Sequence, residues 1–157
     1  MLNKPKFWDR KHESFYSLIF LPLTILLILI NWLSQFFDKK KFKIKTICVG
    51  NIYIGGTGKT PLTIEIFKIL KALKLKSVII KKYYKNQKDE QKLLSKIGPI
   101  ISRNSRIVSL TLAEKQGYKV AVIDDGLQDK KIDYNLKIVC FDKELFLGNG
   151  KLLPAGP

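Results

Sequence analysis

The chain has 157 residues, 46% of them hydrophobic, enough for one domain with its own core. Its 29 basic residues against 13 acidic ones give a formal net charge of +16, which favours anionic headgroups, phosphorylated substrates or nucleic acid as partners. Arg10, Arg103 and Arg106 are the sole arginines, and so few bidentate donors speak against nucleic acid.

Residues 1–14 form a basic N-terminal segment. From Phe15 to Leu33 no side chain is charged, and about 19 residues rising ~1.5 Å each make a helix of roughly 28 Å, close to the hydrocarbon thickness of a bilayer. A membrane-anchoring, transmembrane helix over residues 15–37 is therefore expected. A secretory signal would need a small-residue cleavage site, and a core helix rarely stays apolar on every face. Pro22 lies near the start, where its missing N–H costs little, and Trp32 and the Phe7-Trp8 pair suit the interface. Lysines flank both ends, so charge orients the helix by only a small margin; the motif at Gly55 to Thr60 places residues 38–157 on the cytoplasmic side.

Within residues 38–157, Lys45 to Asn51 reads as a buried strand, followed by a glycine-rich turn and a helix from about Lys59 to Leu73 with Leu62, Ile66, Ile69, Leu70 and Leu73 on its apolar face. Further strands are expected at Ser77 to Tyr84, Tyr118 to Asp125 and Leu136 to Asp142, with a short one at Arg106 to Val108. Helices are expected at Asp89 to Ile97 and Leu110 to Gly117. Near-continuous apolar strands alternating with helices predict an α/β fold, a parallel sheet with flanking helices and a site at the strands' carboxyl ends, and the glycine-rich turn between the first strand and its helix makes it P-loop NTPase-like. Cys48 and Cys140 lie inside predicted buried strands, without metal-site spacing, and read as free core thiols.

The segment Gly55 to Thr60, Gly-Gly-Thr-Gly-Lys-Thr, follows the first strand and opens the first helix, the setting of a phosphate-binding loop. Glycine backbones can wrap phosphate oxygens closely, Lys59 would neutralise the β and γ phosphates, and the Thr60 hydroxyl would meet Mg²⁺. Tyr53 stands where the strict pattern has its first glycine, so the nucleotide-binding loop is read as Tyr53, Ile54, Gly55, Gly56, Thr57, Gly58, Lys59 and Thr60. The run Val120 to Asp124 has the Walker B form, a buried strand that delivers a carboxylate beside the metal. Asp125 follows at the turn; adjacent strand residues point to opposite faces, so it either joins the site or caps the turn. No Asn-Lys-x-Asp sequence follows the loop, which makes an adenine nucleotide the expected ligand.

Together, Lys-Pro-Lys-Phe-Trp before the apolar segment, Val49 to Pro61, Ile123 to Asp129 and Gly148 to Pro157 resemble the tetraacyldisaccharide 4'-kinase family of lipid A synthesis. The resemblance implies an ATP-dependent kinase, with Mg²⁺, that phosphorylates the 4'-hydroxyl of a lipid-linked disaccharide phosphate at the bacterial inner membrane, in contact with membrane lipids and without a protein partner. It also implies roles for Asp89 as the catalytic base, alongside Lys59, and for Glu90 as an acidic neighbour of the metal, because Lys88 to Leu94 occupies the place of the family's Asp-Glu-Pro motif. Gln91 replaces that motif's proline, Lys81-Lys82-Tyr83-Tyr84 replaces Ser-Arg-Gly-Tyr, and Asp129 replaces a histidine. The family's chains continue past Leu-Leu-Pro-Ala-Gly-Pro into a second lobe, so this chain corresponds to the ATP-binding N-terminal half. A histidine of the missing half is implied to assist the base; His12 is the sole histidine here, and low turnover is expected of the half alone.

Two readings compete with the kinase. A membrane-bound P-loop ATPase or GTPase switch would bind a partner according to its nucleotide and phosphorylate no lipid. A bare membrane-targeting fragment would bind no nucleotide at all.

Overall fold

The structure, a computed structural model, describes residues 15–33, 38–51, 58–84, 88–143, 149–152 and 154–155. The basic segment 1–14 with His12, the loop residues Tyr53, Ile54, Gly55, Gly56 and Thr57, and Gly148 lie outside the described residues. The chain divides into two compact units, one of residues 39–51 and 58–140, the other of residues 1–38, 52–57 and 141–157.

The first of these carries a five-stranded parallel sheet in the order β3-β2-β4-β1-β5. Its elements are β1 (Lys45–Asn51), α3 (Lys59–Ala72), β2 (Ser77–Lys82), α4 (Lys88–Ile97), β3 (Ile100–Arg103), α5 (Arg106–Lys115), β4 (Val120–Asp124) and β5 (Leu136–Cys140). The helices α1 (Phe15–Ile19) and α2 (Leu21–Leu33) precede them and belong to the other unit. The expected α/β sheet with flanking helices is therefore present.

Alternation along each strand explains the layers. Cys48, Val78, Ile80, Ala121 and Ile123 pack with Leu110 and Ala113 of α5. Their strand neighbours Val49, Val120 and Val122 pack with Leu70 of α3, and Ile79 packs with Phe67 and Leu94. Successive side chains leave opposite faces of a strand, so a strand covered on both sides must be apolar at nearly every position. That is why these strands read as continuous runs. The chain moves outward from β1 to β2 and β3, returns to insert β4 beside β1, and ends at β5 on the other flank. Sheets of this kind bind their ligands at the carboxyl ends of the strands where the winding reverses, which here is the end of β1.

Several expectations are corrected. Arg106 to Val108 is not a strand but the first turn of α5, and the extra strand is β3 instead. The β-branched pair Ile107-Val108 suggested a strand, whereas the burial of Leu110 and Ala113 against β2 and β4 is satisfied by a helix. On α3, Ile69 and Leu73 are exposed, and the buried stripe is Thr63, Phe67 and Leu70. Cys48 is a free buried thiol as expected, while Cys140 is free but half-buried because β5 is an edge strand.

In the other unit, the apolar segment does not form one long helix. It breaks at Phe20, and among the described residues no helix is long and apolar enough to cross a membrane. Pro22 accounts for the break: a continuous helix would need its N–H to reach the Leu18 carbonyl, and the proline ring clashes there. Thr24 of α2 is buried. Its hydroxyl lies 3.1 Å from the Phe20 carbonyl and 3.4 Å from that of Leu152, and it accepts the Ala155 N–H at 3.3 Å. The Asn149 amide closes the segment by donating to the Ala155 carbonyl at 2.8 Å.

Candidate active site

Gly58 caps the start of α3 with φ 77°, a left-handed conformation that glycine adopts without strain. Lys59 begins the first helical turn. The Lys59 ammonium donates to Asn51 Oδ1 at 2.8 Å, from the end of β1, and to Asp125 Oδ1 at 2.9 Å, from the end of β4. Both partners lie in the unit that holds Lys59. The expected cation thus stands at the carboxyl ends of two adjacent strands, whose register pairs Val49 with Asp124.

Asp124 is 1% exposed as a side chain. Its Oδ1 accepts from Thr63 Oγ1 at 3.3 Å, and its Oδ2 accepts from Lys81 Nζ at 2.6 Å. Lys81 ends the apolar part of β2 and is 4% exposed as a side chain, yet it also donates to Glu90 Oε2 at 2.6 Å. Burial alone would lower the Lys81 pKa, but Asp124 and then Glu90 outweigh it and hold the ammonium above its ordinary value.

Asp125 has φ 58°, left-handed and unusual for a residue with a side chain. Three contacts hold it there: its N–H donates to the Val49 carbonyl at 2.8 Å, its carbonyl accepts from Arg106 Nη2, and its carboxylate accepts from Lys59. Gly126 follows where there is no room for a side chain, since a Cβ would lie 2.6 Å from Ile123 Cγ2 and 2.8 Å from Cys48 Sγ. Tyr134 fixes the same turn by donating its hydroxyl to the Gly126 carbonyl at 3.0 Å. Burial pushes the Cys48 thiol up to about 11, against a smaller opposing effect of the Gly126 backbone and Arg106.

The remaining expected residues are placed as follows. Thr60 is half-buried in the first turn of α3, and Asp89 is exposed in the first turn of α4, one residue before Glu90. Thr60, Asp124, Glu90 and Asp125 were expected to hold a divalent ion, and as arranged they do not fit one. The Lys81 ammonium already stands between Asp124 and Glu90, and Lys59 holds Asp125. Among the described residues no cluster of three or more His, Cys, Asp or Glu could hold a metal. Lys81, Thr63, Asn51 and Arg106 were assigned no role from sequence. Two of them left a signal, because a lysine closing an apolar strand and an arginine opening an apolar helix must find partners once buried.

The sequence model described as tetraacyldisaccharide-1-P 4'-kinase matches residues 17–157. The chain is similar to the tetraacyldisaccharide 4'-kinase of Pelagibacter ubique (strain HTCC1062), 54% identical over 159 residues that cover 99% of this chain and 50% of the relative. It is similar also to the tetraacyldisaccharide 4'-kinase of Rickettsia canadensis (strain McKiel), 33% identical over 170 residues that cover 98% of this chain and 52% of the relative. Among solved structures it resembles LpxK from Aquifex aeolicus, described as an apo form in complex with ATP, at TM-score 0.72 and 26% identity over 89% of this chain and 53% of that one. The chain spans about half the length of the curated relatives it matches.

Proposed function

The chain belongs to the tetraacyldisaccharide-1-P 4'-kinase family, and on that premise we propose that it is the ATP-binding half of an enzyme that phosphorylates the 4'-hydroxyl of a tetraacyldisaccharide 1-phosphate in lipid A synthesis. The observation that carries this reading is Lys59, set in the first turn of α3 between the ends of β1 and β4. From there its ammonium can pass from Asp125 to the phosphates of a nucleotide. The membership does not favour the nucleotide-switch alternative.

ATP enters as its Mg²⁺ complex, so the ion belongs to the co-substrate. Lys59 draws the terminal phosphates toward the ends of β1 and β4 and neutralises their charge. Asp89, exposed in the first turn of α4, accepts the proton of the sugar hydroxyl as that oxygen attacks the γ-phosphorus in line and the bond to the β-phosphate oxygen breaks. Positioning and charge neutralisation supply most of the acceleration in such transfers.

The substrate is a lipid, and α1 and α2 support a place at the bacterial inner membrane, while the use of ATP favours its cytoplasmic side. Phe15, Ile19, Ile25, Leu29 and Ile30 are all exposed on them. The 13 residues of α2 reach about 20 Å, short of the roughly 30 Å hydrocarbon core. Seating in the membrane surface therefore suits them better than a full crossing.

Calorimetric titration of the chain with ATP tests the nucleotide assignment. Binding that Lys59→Ala removes is the expected result, and binding that survives the substitution unchanged would overturn it.

A further inference from the structure

Lys81 takes no part in the phosphate loop or the proton transfer just described, yet it is a buried cation at the carboxyl end of the sheet. Its side chain is 4% exposed, beside an Asp124 side chain that is 1% exposed. Register sets this meeting, because Lys81 of β2 lies directly opposite Asp124 of β4. The same nitrogen reaches Glu90 in the first turn of α4, so two carboxylates from different elements converge on it at 2.6 Å each.

A buried carboxylate such as Asp124, with the half-exposed Glu90 brought to the same point, ordinarily requires a cation, and either a divalent ion or an ammonium can serve. Here the ammonium is covalently part of the chain. It bonds Asp124 Oδ2 while Thr63 bonds Oδ1, so each oxygen of this carboxylate already has a donor and a metal would have to approach beside a fixed positive charge.

We propose that Lys81 is a tethered cation in the place of a divalent ion between Asp124 and Glu90, and that it fastens the start of α4, and with it Asp89, to β4. The proposal deepens the kinase reading, on which it rests for the role of Asp89. Two consequences follow. The nucleotide-free protein has no divalent-ion site at Asp124. ATP affinity also depends on Mg²⁺ only through the ion that the nucleotide carries, because the positive charge beside Asp124 is permanent. Lys81 is thus a positioning residue; it touches no reacting atom.

Mn²⁺ titration of the nucleotide-free chain, read by electron paramagnetic resonance, tests this. The wild type is expected to bind no Mn²⁺ that Asp124→Asn would remove. Lys81→Ser, which opens space and removes the charge, is expected to gain one Mn²⁺ that the added Asp124→Asn abolishes. Where the serine variant does not fold, Lys81→Gln takes its place, with the same expectation. Mn²⁺ bound at Asp124 in the wild type would overturn the proposal, and so would a folded Lys81 variant that gains none. In calorimetry, removing Mg²⁺ should weaken ATP binding at least about tenfold more in the Lys81 variant than in the wild type, and an equal loss in both would also overturn it. A wild type that binds no ATP would instead end the kinase reading and leave the Mn²⁺ result to decide the role of Lys81.

Discussion

Asp124 and Asp125 are neighbours in the chain, yet their carboxylates meet the same helix: Asp124 accepts from Thr63 at 3.3 Å and Asp125 from Lys59 at 2.9 Å. Residues four apart on a helix lie on one face, so α3 presents both donors together. Successive strand residues would point to opposite faces. The positive φ of Asp125, 58°, ends the strand pattern and returns its side chain to α3.

Substitution of Asp125 should therefore separate backbone from charge. Asn tolerates the left-handed region, whereas a β-branched residue is strained there by about 1–3 kcal/mol. Asp125→Val should lower unfolding free energy by about that amount relative to Asp125→Asn in urea titrations, and equal stabilities would contradict the strain.

Gly126→Ala forces a Cβ against Ile123 and Cys48 in the buried layer. Overpacking of this kind costs about 1–3 kcal/mol. A lower urea midpoint at unchanged slope is the expected result.

Removal of Asp124 and removal of Glu90 should differ widely, although both pair with Lys81. Asp124→Ala leaves the Lys81 ammonium in a buried place with one half-exposed partner, a loss of about 3–5 kcal/mol. Glu90 is 49% exposed, and solvent screens its share, so Glu90→Ala should cost under about 1 kcal/mol. Thermal unfolding of both variants checks the order.

Alkali should weaken the fold through Cys48, whose thiol rises from 9.0 to about 11. A raised pKa means that the fold favours the neutral thiol. Its contribution is complete below pH 9.0, where the unfolded chain is also protonated, and is lost as pH climbs from there toward 11. The loss is about 2 kcal/mol, and Cys48→Ala should flatten the stability profile across that window.

The sheet was legible in the sequence because strands covered on both faces must be apolar throughout; β1 was delimited to the residue by the charge before it and the turn after it. The position of Lys59 at the opening of α3 was legible for a related reason, since a glycine-rich run between an apolar strand and an apolar helix marks where one ends and the other begins. The start of α5 was not, because local β-branching at Ile107 and Val108 suggests a strand and only distant packing makes it a helix. The exposed Ile69 and Leu73 show the same limit, for the period of α3 fitted more than one face. Lys81, closing an apolar strand, announced that it needs partners but not which ones. Its partners lie nine and 43 positions away, and nothing local announces that β2 and β4 become neighbours. The break at Phe20 was announced by Pro22, but the even hydrophobicity around it suggested an unbroken span.

The most direct measurement joins this chain to the remaining half of the Pelagibacter ubique relative and follows label from the γ-phosphate of ATP onto tetraacyldisaccharide 1-phosphate. Labelled lipid from the joined protein, falling roughly 10²–10³-fold with Lys59→Ala, is the predicted result. Labelling at the same rate after that substitution would contradict the place given to Lys59.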